Sequence, residues 1–244
     1  MPHEQTIITT REGACPAHVF TPGDDRTGPA VIVYMDAGGI RPAMLGMAER
    51  LSDAGYVVLL PDLFYRYGAY GPFDPVEVFK GDFRAILGPL MATTGNAKSA
   101  EDTDAFLDYL DTRSEVDGEK VGAVGFCMGG GMAIATAGTR PDRFPAVASF
   151  HGGNLATDKD DSPHRYAHKL KAELYIAAAG NDGSYSPAMA ERFEQALDEA
   201  HVPYRSEIYP AAHGWMMPDF PVYDKAEAEC GWRAMIAFFD RTLR

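Results

Sequence analysis

The chain has only three cysteines, Cys15, Cys127 and Cys230, an odd number without a CxxC pair. That excludes a disulfide framework and a zinc site built on paired thiols, and it reads as a reducing, cytosolic setting. Positive charge is scarce as well: 22 Lys and Arg stand against 35 Asp and Glu, a formal net charge of −13. Without a basic run to displace counterions from a phosphate backbone, nucleic acid is not an expected partner. No stretch approaches the about 18 consecutive apolar residues that would span a bilayer. Residues 1–5 lack the basic and apolar regions of an export signal. The expectation is a cytoplasmic protein with no membrane partner. Neither HExxH nor EF-hand spacing occurs, and neither GxGxxG nor GxxxxGK[ST] is found, so no metal and no organic cofactor are expected.

What is present suits a folded α/β protein. The 244 residues are 46% hydrophobic and 23% charged, enough for one large domain over 1–244. β-prone pieces at 6–10 and 17–20 flank Arg11-Glu12-Gly13 and predict an antiparallel hairpin, followed by a polar turn at 22–25. Apolar strands are expected at 31–35, 56–60, 121–124, 146–150 and 171–178, with a last alternating strand at 204–209. Helical spacing runs from Pro42 to a stop at Gly55, from a Ser99/Asp102 capping box through Leu110, from Met132 to a stop at Gly138, over 187–200 and over 224–241. Residues 62–97, rich in Tyr, Phe, Pro and Gly, show no clean period and read as an irregular insertion, either an active-site cover or a surface connection. Strands alternating with helices imply a mainly parallel sheet with helices on both faces. Function in such sheets sits at the carboxyl ends of the strands.

At one of those ends stands Gly125-Phe126-Cys127-Met128-Gly129-Gly130, between a buried strand and a small-residue helix. Strand, Gly-x-nucleophile-x-Gly, helix is the context of a nucleophile elbow, with cysteine where serine is commoner. Gly129-Gly130-Gly131 is explained by close helix–strand packing. The N–H of Met128 then lies at the positive end of the helix, suited to an oxyanion, with a second donor expected from the Ala37-Gly38 loop, at Gly38. Asp182, in Gly180-Asn181-Asp182-Gly183, and His213, in Ala211-Ala212-His213-Gly214-Trp215, follow two later strands. Nucleophile, acid, histidine is the chain order of an α/β-hydrolase triad. A thiol needs an imidazole to take its proton, and the imidazole needs a carboxylate to fix its tautomer. Asp182 could instead serve only as a turn residue, and His213 as a loop histidine. Cys15 and Cys230 read as small buried hydrophobes. His151 precedes Asp182 and breaks the triad order, so a pocket-lining role fits it better.

The chain resembles the dienelactone hydrolase family over almost its whole length. The landmarks are Gly125-Phe126-Cys127-Met128-Gly129-Gly130, Pro61-Asp62-Leu63-Phe64-Tyr65-Arg66, Gly180-Asn181-Asp182 and His213-Gly214-Trp215. The resemblance implies a Cys127-His213-Asp182 triad on an α/β-hydrolase fold, cleaving a small ester or lactone through a thioester. It also implies that Arg66 holds a substrate carboxylate, so the substrate partner could be anionic; a surface ion pair is the alternative for Arg66. Two departures stand out. Where the family carries a glutamate that accepts a hydrogen bond from the resting thiol, this chain has Ala37, with Asp36 one residue earlier. Met216 and Met217 occupy the region of the family's second carboxylate-binding arginine. Asp36, Arg66, Phe64, Tyr65, His151 and Trp215 are the candidate substrate contacts. The rival functions are a general carboxylesterase or thioesterase and a non-catalytic, hydrolase-like binding protein whose Cys127 is a redox-sensitive thiol.

Overall fold

The computed structural model describes residues 2–23 and 26–244, so part of the polar turn expected at 22–25, Asp24 and Asp25, lies outside the described residues. Among the described residues, eight strands form one sheet: β1 (His3–Thr10), β2 (Gly13–Phe20), β3 (Gly28–Tyr34), β4 (Val57–Pro61), β5 (Val116–Phe126), β6 (Ala146–Phe150), β7 (Glu173–Asn181) and β8 (Tyr204–Ala212). Their order across the sheet is β1-β2-β4-β3-β5-β6-β7-β8. β1 pairs antiparallel with β2, and β2 antiparallel with β4. All later pairings are parallel. β3, β4 and β6 are buried along their whole length, which is why their sequences are continuous apolar runs without alternation.

Two helices, α1 (Pro42–Asp53) and the last helix of the chain, over 225–243, cover one face. On the other face the helix over 96–111 packs against the elbow helix over 128–139, which lies directly on β5, β6 and β3. In chain order the helices are α1, α2 (Pro75–Lys80), α3 (Phe83–Met91), α4 (Asn96–Asp111), α5 (Met128–Thr139), α6 (Pro187–Glu199) and α7 (Lys225–Leu243). A 3-10 turn at Pro163–Lys169, not anticipated from the sequence, fits between α5 and α6.

Three local expectations need correction. The insertion expected to be irregular contains α2 and α3. Asp74 and Asp82 cap them by accepting backbone N–H groups, and Pro89 inside α3 had masked the helical period. Ser99 does not open α4; Gly95 precedes the helix, Ser99 is buried one turn inside it, and Asp102 is directed to Arg66 instead of to a cap. Gly138 does not end α5, which runs one residue further; the glycine is needed because a Cβ there would lie 2.7 Å from Tyr166.

The strand–helix junction at the elbow is closer than side chains permit. A Cβ on Gly125 would sit 1.9 Å from the carbonyl oxygen of Gly129, and one on Gly129 would sit 2.2 Å from that of Tyr34. Both obstacles are backbone, so relief requires moving α5 off the sheet. We expect Gly129→Ala to cost about 3 kcal/mol or more in urea unfolding. Gly46→Ala, in α1 with open space around it, should gain about 0.5–1 kcal/mol.

Candidate active site

Cys127, Asp182 and His213 stand one residue beyond β5, β7 and β8, all at carboxyl ends of parallel strands. Cys127 takes φ 55 and ψ −117, a conformation costly for a residue with a side chain. It is held there by its N–H, which donates to Phe150 O at 3.1 Å and also approaches His151 Nδ1 at 3.2 Å. Cys127 O receives the Gly130 N–H at 3.1 Å, so the helix begins at once. The sharp reversal leaves the thiol at the positive end of α5.

Asp182 sits in a turn that the sequence reads as a bend, and it bends for a purpose. Its Oδ1 accepts the Ser184 N–H at 2.8 Å and the Ser184 hydroxyl at 2.6 Å, leaving Oδ2 for His213 Nδ1 at 2.6 Å. His213 Nε2 lies 3.1 Å from Cys127 Sγ. The three groups thus form one hydrogen-bonded line, with the Asp182 side chain only 3% exposed and that of His213 30%. Burial opposes a charge on His213, but its hydrogen bonds and the charges of Asp182 and Cys127 outweigh burial and push it up to about 10. Burial would likewise raise Asp182, yet His213 and Ser184 hold it below the usual carboxylate range. Ser184 was not among the sequence candidates. The Asp-x-Ser spacing of an Asx turn is the signal that could have found it.

Around this line the structure redistributes the other candidates. Asp36 is fully buried, but both of its oxygens go to Arg41, at 2.6 and 2.9 Å, and Oδ1 also accepts the Gly38 N–H at 2.9 Å. Asp36 therefore makes an ion pair inside its own loop and is not a substrate contact. Gly38, expected to supply the oxyanion donor, has its N–H occupied by Asp36; of that loop, Ala37 keeps an N–H with no hydrogen bond among the described residues. Arg41 also binds Asp219, Nε to Oδ2 at 2.6 Å, which ties the loop after β3 to the loop carrying His213. Burial leaves Asp36 above the usual carboxylate range, and the two hydrogen bonds from the Arg41 guanidinium, at 2.6 and 2.9 Å, oppose that rise and favour the ion pair.

Arg66 does not face the thiol. It forms a forked pair with Asp102 at 2.9 and 3.0 Å and binds Glu12, while its guanidinium lies over Tyr65. This is an ion pair, the alternative expected for Arg66, but it is not on the surface: the Asp102 side chain is buried and that of Arg66 nearly so. Tyr65 donates to Asp102 and contacts Thr10, and Phe64 is buried against Tyr70, so neither lines the space above Cys127. Trp215 stacks on Tyr209 at 4.3 Å, wholly buried. His151 is buried between His213 and Trp215 and acts as support beneath the triad instead of as a pocket wall. Burial, and then the neighbouring His213, keep it far below the usual histidine range and so uncharged. Among the other thiols, Cys15 is buried as expected, but Cys230 is exposed and beside Arg233.

The space above Cys127 is a cavity of about 80 Å³ whose floor is Ala37, Gly38, Cys127 and His213. Its walls include Phe73, Val78, Phe79, Phe83 and Leu87, all from the insertion, and Phe220 from the loop after β8. The insertion therefore lies over Cys127 and His213. A larger groove, about 900 Å³, lies between β1 and α4 and contains no triad residue.

Removing Arg41 should strand a buried carboxylate. We expect Arg41→Met to cost about 3–5 kcal/mol in denaturant unfolding, and an Asp36→Asn/Arg41→Met double variant to recover part of that loss.

The model of the dienelactone hydrolase family matches residues 15–243 of this chain. A protein named "Putative carboxymethylenebutenolidase" from Synechocystis sp. is 28% identical over 222 residues, covering 88% of this chain and 87% of its own. One of the same name from Escherichia coli K12 is 29% identical over 240 residues, covering 96% and 85%. Among solved structures, a "Putative Dienelactone Hydrolase" from Klebsiella pneumoniae subsp. pneumoniae superposes with a TM-score of 0.85 at 25% identity, covering 98% of each chain. These neighbours share the α/β-hydrolase fold. On the match across 15–243, this chain is a member of the dienelactone hydrolase family and an ester or lactone hydrolase.

Proposed function

We propose that the chain cleaves small carboxylic esters or lactones through a thioester on Cys127. The observation that carries this reading is the line from Cys127 Sγ through His213 to Asp182, at 3.1 and 2.6 Å, opening on the cavity. The Cys127 thiol gives its proton to His213 Nε2, and the freed sulfur lone pair forms the C–S bond to the carbonyl carbon while the C=O π pair moves onto oxygen. The N–H groups of Met128, first in α5, and Ala37 hold that oxygen. When the pair returns, the bond to the leaving oxygen breaks and that oxygen takes a proton from His213. Water then bonds to the acyl carbon as His213 accepts one of its protons; the C–S bond breaks and the acid leaves. In a lactone the alcohol stays tethered, and the product is a hydroxy acid.

Asp182 keeps His213 oriented throughout, and Ser184 keeps Asp182 oriented. Arg41 acts at one remove: by holding Asp36, which holds Gly38, it sets the loop that presents Ala37.

Cys127→Ala should lower turnover of 4-nitrophenyl acetate by at least about 10³-fold, and Asp182→Asn by about 10³–10⁴-fold. Full activity in the first variant overturns the nucleophile assignment. His213 also has a stability signature. Its folded pKa, about 10, lies above its unfolded value, so protonation favours the native state; the contribution is complete below about 6.5 and is lost as pH rises through about 10. The stability deficit of His213→Gln should therefore be largest near pH 5.5 and shrink above pH 10, as measured by urea unfolding.

A further inference from the structure

The cavity above Cys127 is uncharged on every wall. Phe73, Val78, Phe79, Phe83, Leu87 and Phe220 offer only carbon, and on the floor the one ionisable partner of the thiol, His213, has its ring nitrogens directed to Cys127 and Asp182. Neither arginine near the site can serve an anion there. Arg66 is held by Asp102 and Glu12, outside the cavity lining. Arg41 lies behind Phe220, its guanidinium 5.2 Å from that ring's centre, and it is bound by two carboxylates, leaving that trio with an excess negative charge.

From these observations, and resting on the hydrolase reading above, we infer that the site accepts a small, uncharged, apolar acyl group and rejects substrates that carry a carboxylate. A carboxylate in this cavity would lose its water without gaining a donor, because the charged His213 is already paired with Asp182 and turned to Cys127, and it would face the excess negative charge behind Phe220. An apolar acyl chain gains contact with the aromatic walls instead. The volume, about 80 Å³, sets the size class: ordinary ligand sites run to about 300–1,000 Å³, so a chain of a few carbons fills this one.

Two esters that share a leaving group and differ by one carboxylate separate the alternatives: 4-nitrophenyl butyrate and mono-4-nitrophenyl glutarate, with Cys127→Ala as the background. The wild type should favour the butyrate in kcat/KM by at least about 100-fold. Equal rates, or preference for the glutarate ester, overturn the inference and leave the hydrolase reading standing. Hydrolysis of neither ester above background removes the hydrolase reading and the inference together. A second arm uses Phe79→Arg, placed at the rim where Phe79 is 47% exposed, so that folding is little disturbed. This variant should raise kcat/KM for the glutarate ester at least about tenfold relative to the butyrate. An unchanged ratio in the folded variant overturns the assignment of this cavity to the acyl group.

Discussion

Everything at the active end of this molecule depends on how closely one helix can approach one sheet. α5 lies on β5 and β3 at a distance set by backbone atoms, since hydrogen alone fits at Gly125 and Gly129. That approach forces the chain to reverse within a single residue, and Cys127 takes the unfavourable dihedrals. Its strain is balanced by the packing of an almost fully buried helix. The same reversal lifts the thiol out of the backbone and directs it to the cleft where β7 and β8 deliver their own loops. A nucleophile on a relaxed turn would lie flatter and further from both His213 and the Met128 N–H.

The charges around the site are arranged in separate layers. The hydrogen-bonded line runs from Asp182 through His213 to Cys127. Behind it lies His151, uncharged and fully buried, whose neutrality avoids placing a second cation beside His213. Beside it, Asp36, Arg41 and Asp219 lock two loops that come from opposite ends of the sequence. A buried ion pair contributes little net stability over a well-packed apolar substitute, but it fixes one geometry sharply. Here it fixes the loop after β3, a segment with no regular structure, whose Ala37 lies on the floor of the cavity.

The sequence disclosed the sheet and the positions of Cys127, Asp182 and His213 because both follow from local rules. A buried parallel strand is a continuous apolar run, and a reactive side chain just past its end has a recognisable neighbourhood of glycines and turn formers. The roles of Asp36, Gly38 and Arg66 could not be read in this way. Each depends on a partner remote in sequence or on the direction of one bond: Arg66 is captured by Asp102 across 36 residues, and Gly38 N–H turns toward Asp36 instead of the thiol. Residues 62–97 hid two helices because each is short and is begun by a single aspartate cap, signals too brief for periodicity to register. Phe73, Val78 and Leu87 therefore could not be foreseen as walls, whereas Phe64, Tyr65 and Trp215, which sit in the motifs, were drawn toward a role that the packing does not give them.

Part of the cavity wall, Val78 and Leu87 with Ala37 on the floor, forms a small apolar cluster of its own. Phe83 and Ile86 pack on it alone, whereas Phe73 and Met128 pack on both it and the large core and so join the two. Tyr70, hydrogen-bonded to Asp62 and to the Ile40 N–H, fastens the start of the cover to the framework. Two cohesive units thus meet at one thiol. The larger holds most of the buried apolar surface, and the smaller lies over Cys127 and His213. A cluster with so few buried side chains is the part expected to open at the lowest free energy, ahead of the sheet that carries Cys127, Asp182 and His213.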